Sequence, residues 1–350
     1  MSLFSERLKS ARIMAGFTLQ ELSDAMDGYV SKQALNKYEL GENTPGEDVI
    51  DQLCKALNVR PDYFRRERQV ILEGLEFRKL SKYPAKEKAK AIQQAQDILE
   101  RYLDLEEILG IDSRFINPIQ DFREIKTLED VEDASILVRS VWGLGNKGPL
   151  GSVIEILEDH EIKMVEVSVE KGFDGSQGTI YEKLPVIVLN RNDEIPKDRI
   201  RFSALHELAH LVLHINSEAD HETKEKFCHY FAGAMLLPKE AAIMEFGPKR
   251  TKILFKELAS VKLQYGISIQ ALIYRLFNLG IITKSYFNSL YFMMGQLNMR
   301  ATEPYPYEGS EKSNRFIQLL FRALAEEVIS TGKAASLNRQ SVAEFQREHL

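Results

Sequence analysis

The chain has 350 residues, of which 44% are hydrophobic and 28% are charged, and its formal net charge is −6. This composition predicts a soluble globular protein of two or three domains. The sequence has no apolar run as long as the roughly 20 residues that a helix needs to cross a bilayer. The excess of acidic residues does not favour nucleic-acid binding by the chain as a whole. The two cysteines, in no CxxC pattern, and an N-terminus without an apolar signal core predict a cytoplasmic protein without a disulfide framework.

Residues 1–66 show the pattern of a compact unit of five helices. Apolar residues recur at helical spacing in FSERLKSARIMAG, which Gly16 ends. Thr18 and Glu21 predict a capping box for the helix LQELSDAM. Ser31 is the expected cap of the short helix KQALNKYE, which is followed by a turn and by the helix EDVIDQLCKALNV.

Residues 67–127 are rich in charged residues and helix formers, and they predict a helical connector. The stretch PAKEKAKAIQQAQDILERYLDLEEILG has a proline in its first turn and ends at Gly110, which indicates one long helix. The preferred interpretation is a solvated helix with one buried stripe. The alternative is a packing surface between domains.

The pattern changes from about residue 128, where helices begin to alternate with short strands. The stretch TLEDVEDASILVRSVWGLG is helical in pattern, IKMVEVSV and LPVIVLN are typical of strands, and FDGSQG is typical of a turn. Helices follow near 198–215 and in HETKEKFCHYFAGAMLL, and residues 239–350 are mostly helical. The predicted fold class is therefore α+β and predominantly helical, with a small β-sheet.

The helix RFSALHELAHLVLHIN carries two histidines four residues apart around a glutamate. Because positions i and i+4 share a helix face, His206 and His210 can both direct an imidazole at one zinc ion. Glu207 lies beside the first ligand and can serve as general base toward a zinc-bound water. The alternative is an ordinary helix with hydrogen-bonded histidines. The apolar residues around the motif predict a buried helix, and buried polar groups need partners.

A catalytic zinc ion usually takes a third protein ligand. His214 is the nearest candidate, but it lies two turns from His206, about 12 Å along the helix axis, which is too far for a shared ion. The next helix offers Glu222 and Glu225. Glu225 is the preferred ligand because His229 follows it by one turn, where a residue that supports a metal ligand is often found. Glu222 remains the alternative.

Several of these features together resemble the ImmA/IrrE-type metallopeptidases. They are the strand VIVLN ending in asparagine, the Arg-Phe pair before HELAH, the trailing histidine, and a helix with Phe-Ala before Leu-Leu-Pro. The resemblance implies a zincin-like peptidase in which the two motif histidines and Glu225 bind zinc and Glu207 is the base. The chain departs from the family at His229, where the family usually has Asn or Asp, so the hydrogen bonding around the ligands is altered.

The N-terminal unit is similar to the helix-turn-helix of Xre/Cro-type repressors. The similarity lies in the stretches LKSARIMAGFTLQELSDAM and VSKQALNKYELGENTPG. In that motif the short second helix lies in the major groove of DNA. Acidic and basic residues nearly balance in residues 1–64, so a domain used for dimerisation or protein binding is the alternative. The residues expected to contact bases or phosphates are Ser31, Lys32, Gln33, Asn36, Lys37 and, in the following turn, Asn43.

These patterns and resemblances predict four segments: a DNA-binding domain (1–66), a helical connector (67–127), a metallopeptidase domain (128–300) and a C-terminal helical segment (301–350). They imply a transcription regulator that binds operator DNA as a dimer and carries a zinc-dependent endopeptidase for a regulatory protein, such as a repressor or an antitoxin-like partner. One alternative is a non-catalytic ligand sensor or protein-interaction module. Another is self-cleavage between the two halves.

Overall fold

A computed structural model describes residues 2–67, 69–75, 84–169, 173–192, 194–300 and 302–349 of the chain. The architecture is α+β and predominantly helical, as the sequence predicts. Within the described residues it comprises sixteen α-helices and one four-stranded sheet. No helix in these ranges combines the length and the apolar character that a bilayer crossing requires.

The N-terminal unit contains five helices, as the sequence predicts, of which four are α-helices and the last is a 3-10 helix. The predicted caps are confirmed: Thr18 and Glu21 form a capping box, and the Ser31 hydroxyl accepts the backbone N–H of Ala34. Gly16 ends the first helix in the left-handed conformation, with φ of 77°. The bounds are α1 Leu3–Ala15, α2 Leu19–Ala25, α3 Lys32–Leu40, α4 Glu47–Leu57 and the 3-10 helix Pro61–Arg65.

The sheet has the strand order β1-β3-β4-β2. Strand β2 is parallel to β4, while β3 is antiparallel to both β4 and β1. The prediction of a turn in FDGSQG is wrong, because Gly175 to Gly178 of that stretch lie in β3 and pair with β4 throughout. This pairing outweighs the low strand propensity of glycine. The bounds are β1 Leu72–Glu73, β2 Lys163–Val167, β3 Gly175–Ile180 and β4 Leu184–Asn190.

Helices cover both faces of the sheet. Along β4, Val186 and Val188 belong to the apolar cluster that contains residues of α5 (Ala85–Ile108). The alternate residues Ile187 and Leu189 belong to the cluster formed with α8 (Lys197–Val212). Burial on both faces explains why this strand is a continuous apolar run instead of an alternating one.

Helix α5 is not the solvated connector with one buried stripe that the sequence predicts. Almost every residue from 97 to 106 is buried, because this half of the helix contacts α1, the sheet and the C-terminal helix α14 (Arg315–Ala325) on different sides. Charged residues on these sides are buried as ion pairs. One example joins Arg7 of α1 to Glu100, with 2.6 Å between Nη1 and Oε2. The helical periodicity of the sequence cannot predict ion pairs between residues that are so far apart in the chain.

The largest apolar cluster surrounds α8 and involves most of the other helices. A smaller cluster joins the C-terminal helices to α5 through Tyr102, Leu320 and Phe345. The bounds of the remaining helices are α6 Leu128–Val141, α7 Val153–Asp159, α9 His221–Leu236, α10 Lys239–Phe246, α11 Phe255–Tyr265, α12 Ile269–Asn278, α13 Lys284–Gln296, α15 Thr331–Leu337 and α16 Val342–His349.

Residues 302–314, here called the strap, run without helix or strand from the domain around α8 to α14. Two carboxylates bind the strap to that domain. Glu303 forms an ion pair with Lys262, with 2.7 Å between Oε2 and Nζ, and Glu311 forms one with Arg201 of α8. The side chains of Arg201 and Glu311 are both 0% exposed. Because Glu311 also accepts backbone N–H groups at the start of α7, the strap fixes the position of α8 against α7.

Candidate functional site

The two histidines of HELAH lie on the side of α8 that faces α9. Their spacing of four residues places them on one face of the helix, with 3.2 Å between the Nε2 atoms of His206 and His210. His206 is buried and His210 half-buried, so the pair is partly accessible from the surface. Helix α9 runs alongside α8 and begins at a side-chain cap from Asp220, which accepts the N–H of Thr223.

Glu225 of α9 supplies a third donor to this pair. Its Oε1 lies 3.2 Å from Nε2 of His210, and its Oε2 lies 3.5 Å from Nε2 of His206. One donor atom from each of these three residues lies within 4.8 Å of the others. A tetrahedral zinc ion with bonds of about 2.0–2.2 Å separates its ligand atoms by about 3.3–3.6 Å. Both the donor types and their spacing fit zinc, with one coordination position left over.

The local charges favour a cation at this point. Burial would lower the pKa of the His210 imidazole, but hydrogen bonds with Cys228 and Glu225 and the charge of Glu207 raise that pKa to about 10. The surroundings therefore stabilise a positive charge on the ring. The same negative potential would stabilise a divalent cation held between the two imidazoles and the carboxylate.

Glu207 lies on α8 next to strand β3. An ideal Cβ on Gly175 would lie 3.4 Å from Cγ of Glu207 and 3.0 Å from Cδ2 of Leu189. Glycine at this position therefore lets β3 approach α8 more closely than a larger residue would. Gly175 of the stretch FDGSQG thus lies directly beside Glu207.

Helix α9 contributes two further side chains around the histidines. Cys228 is fully buried, and its Sγ lies 3.6 Å from Nδ1 of His210. Cys228 is not among the site residues that the sequence predicts, although its spacing of three from Glu225 places both on one face of α9. His229 lies beside His206, with 4.4 Å between the ring centroids. Its Nδ1 is 2.6 Å from the backbone oxygen of Glu225.

The other histidines and the alternative glutamate occupy different positions. Glu222 and His214 are exposed and lie outside the group of candidate metal ligands found in the described residues. His221 is also exposed, with its Nδ1 3.9 Å from Oε1 of Glu225. Of the two glutamates that the sequence left open, the structure brings Glu225 to the histidine pair.

In the N-terminal unit, one side of α3 and the turn after it face solvent. The inward side holds Leu35, which is buried, and Glu39, whose carboxylate binds Arg12 of α1 with 2.6 Å between Oε1 and Nε. This largely buried ion pair, in which the Arg12 side chain is 14% exposed, holds α3 against α1. All six residues predicted to contact DNA are exposed, namely Ser31, Lys32, Gln33, Asn36, Lys37 and Asn43.

Two family models match separate parts of the chain. The model described as Helix-turn-helix matches residues 8–64, which include most of α1 and all of α2 to α4. A peptidase family model described as IrrE N-terminal-like domain matches residues 157–277, which include the sheet strands β2 to β4 and the helices α8 and α9. No curated protein matches the chain. The chain therefore joins a helix-turn-helix DNA-binding domain to an IrrE N-terminal-like, metallopeptidase-like domain.

Proposed function

We propose that the chain is a DNA-binding transcription regulator that carries a zinc-dependent endopeptidase, and that this peptidase cleaves a regulatory protein such as a repressor or an antitoxin-like partner. The observation that carries the peptidase half is the triangle of donor atoms from His206, His210 and Glu225 beside Glu207. The exposed polar side of α3 supports operator binding. Because one such unit reads a half-site, we propose that the regulator binds as a dimer.

The residues of the site have separate roles in this proposal. His206, His210 and Glu225 would hold the metal through two nitrogens and a carboxylate oxygen. Zinc held there would supply a water molecule of lowered pKa and a Lewis acid for a peptide carbonyl. Glu207 accepts a proton from the attacking water and delivers it to the leaving amine. Cys228 and the helix packing behind it keep the ring of His210 oriented toward Glu225.

The proposed substrate binds as an extended peptide along the edge of β3 that lies beside Glu207. Strand β1 pairs only with Thr179 and Ile180. Within the described residues, no strand pairs with the same edge of β3 from Gly175 to Gln177. A peptide that adds to this edge makes main-chain hydrogen bonds and places its backbone next to Glu207. The proposed substrate site is therefore an extended linker or loop of the regulatory protein.

Zinc content provides a direct test of the ligand set. We expect the purified protein to carry one zinc ion per chain. Glu225→Ala should lower zinc affinity by more than about 100-fold, since even the loss of a residue that only supports a ligand costs about 10- to 100-fold. Elemental analysis and competition with a chromogenic chelator measure both quantities.

Glu222→Ala is the matched control for this experiment, because Glu222 lies on the same helix one turn earlier and is exposed. It should retain zinc at the wild-type affinity. Loss of zinc from Glu222→Ala with retention in Glu225→Ala would reverse the assignment. A wild-type protein that binds no zinc at all would remove the basis of the peptidase proposal.

A further inference from the structure

The helix-turn-helix domain is short of the positive charge that DNA binding needs. Residues 1–64 contain seven basic and ten acidic residues. Two of the basic residues, Arg7 and Arg12, are engaged in ion pairs with Glu100 and Glu39 inside the protein. Affinity for DNA comes largely from Lys and Arg side chains that neutralise backbone phosphates. Additional cations near the domain would therefore have a large effect on its binding.

The N-terminal end of α5 brings two lysines to this domain. The Nζ atom of Lys86 lies 2.9 and 3.1 Å from the two carboxylate oxygens of Glu21, in the first turn of α2. Both side chains are nearly half exposed. Lys90 follows one helical turn later on the same face, and an ideal Cβ on Gly16 would lie 3.3 Å from its Cδ atom.

The general docking geometry of helix-turn-helix motifs places the N-terminus of α2 toward the DNA backbone. In a helix-turn-helix, the first helix of the motif crosses the sugar-phosphate backbone while the second enters the major groove. Here α2 is the first of these helices and α3 the second. This docking would bring a phosphate of the flanking backbone close to the ammonium group of Lys86, which contacts Glu21 in the first turn of α2.

We propose that Lys86 and Lys90 extend the DNA-binding surface onto the backbone phosphates that flank the half-site read by α3. The inference rests on the proposed binding of DNA by the helix-turn-helix domain. The surface is continuous with α2, and its charge is complementary to the duplex backbone. Lys86 neutralises the carboxylate of Glu21 at this point and also contacts phosphate. Such contacts position the protein on DNA and carry no sequence information.

The salt dependence of DNA binding tests the proposal. The probe is a fluorescein-labelled duplex of mixed sequence and about 30 base pairs, titrated between roughly 50 and 200 mM salt. Each phosphate contact contributes about 0.9 to the slope of log K against log salt, so Lys86→Gln/Lys90→Gln should lower the slope by about 1.8. The matched control, Lys252→Gln/Lys256→Gln, removes the same charge from exposed positions in and beside α11 and should leave the slope unchanged.

The same lysine substitution, made in a Glu21→Gln variant, distinguishes a phosphate contact of Lys86 from simple neutralisation of Glu21. Glu21→Gln preserves a capping-box partner for Thr18 and removes the ion pair with Lys86. If Lys86 contacts phosphate, Lys86→Gln still weakens DNA binding in the Glu21→Gln background. If Lys86 only neutralises Glu21, the added substitution has no effect there, and the proposal fails for this lysine.

Lys37→Gln on α3 distinguishes failure of this inference from failure of the proposed function. A lower slope for Lys37→Gln with an unchanged slope for Lys86→Gln/Lys90→Gln would overturn the α5 surface and leave DNA binding by the helix-turn-helix intact. A wild-type protein that does not bind the duplex at any salt concentration would overturn both.

Discussion

Glu207→Gln is expected to slow peptide cleavage strongly while the zinc content of the chain stays at the wild-type value. Glutamine has nearly the same shape but cannot accept the proton of the attacking water. General acid–base catalysis contributes about 10²- to 10⁴-fold to a rate, so the loss should be of that order. Zinc should remain because Glu207 is not among the three donors, which are His206, His210 and Glu225. The measurement is the appearance of new termini in a proteome-derived peptide library, read by mass spectrometry, with elemental analysis for zinc.

Glu222→Gln is the matched control for this substitution, because it makes the same chemical change at an exposed position of α9. It should leave both cleavage and zinc content unaltered. A Glu207→Gln protein that cleaves as fast as the wild type would show that the base is another residue. If the zinc-loaded wild type cleaves no peptide, the alternative of a ligand sensor or interaction module replaces the enzyme. Fragments that form in the purified wild type but not in Glu207→Gln would identify self-cleavage.

Glu311→Ala should lower the free energy of unfolding of the IrrE N-terminal-like domain by about 3–5 kcal/mol. The substitution leaves the guanidinium of Arg201 buried without its carboxylate, and a buried uncompensated charge is costly. It also removes the acceptor for the N–H groups of Val153 and Ile154 at the start of α7. Chemical denaturation followed by the fluorescence of Trp142 measures the effect, since Trp142 is the single tryptophan and packs against the core around α8.

Glu308→Ala is the comparison for Glu311→Ala, because Glu308 lies in the same strap but is exposed. It should change the free energy of unfolding by less than about 1 kcal/mol, because the interactions of a solvent-exposed charge contribute little to stability. An equally small change for Glu311→Ala would contradict the role of the buried ion pair in holding α8 against α7.

The parts of the fold that depend on neighbouring residues could be predicted from the sequence. The caps formed by Thr18 and Ser31 involve atoms three residues apart, and the pairing of His206 with His210 follows from one helical turn. Such relations do not depend on the remainder of the chain. The choice between Glu225 and Glu222 is different, because it depends on how α9 is rotated against α8, and no spacing within one helix determines that rotation.

The parts that depend on distant residues could not be predicted. The partner of Glu100 is Arg7, 93 positions away, so the charges of α5 looked like those of a solvated helix. Strand β3 contains Gly175 and Gly178, and glycine is usually a sign of a turn. Here close packing against Leu189 and the carbonyl of Glu73 leaves no space for a Cβ. Cys228 contacts His210 only because two helices pack side by side.

The position of α5 constrains how the two halves of the molecule can be separated. Severing the backbone ahead of Ala85 would not set the N-terminal domain loose, because Arg7 would still bind Glu100. The C-terminal helices hold the same domain through hydrogen bonds from Arg60 to the carbonyl of Gln340 and from Arg339 to the carbonyl of Asn58. A switch that works by releasing this domain must therefore dissociate these contacts as well as cut the chain.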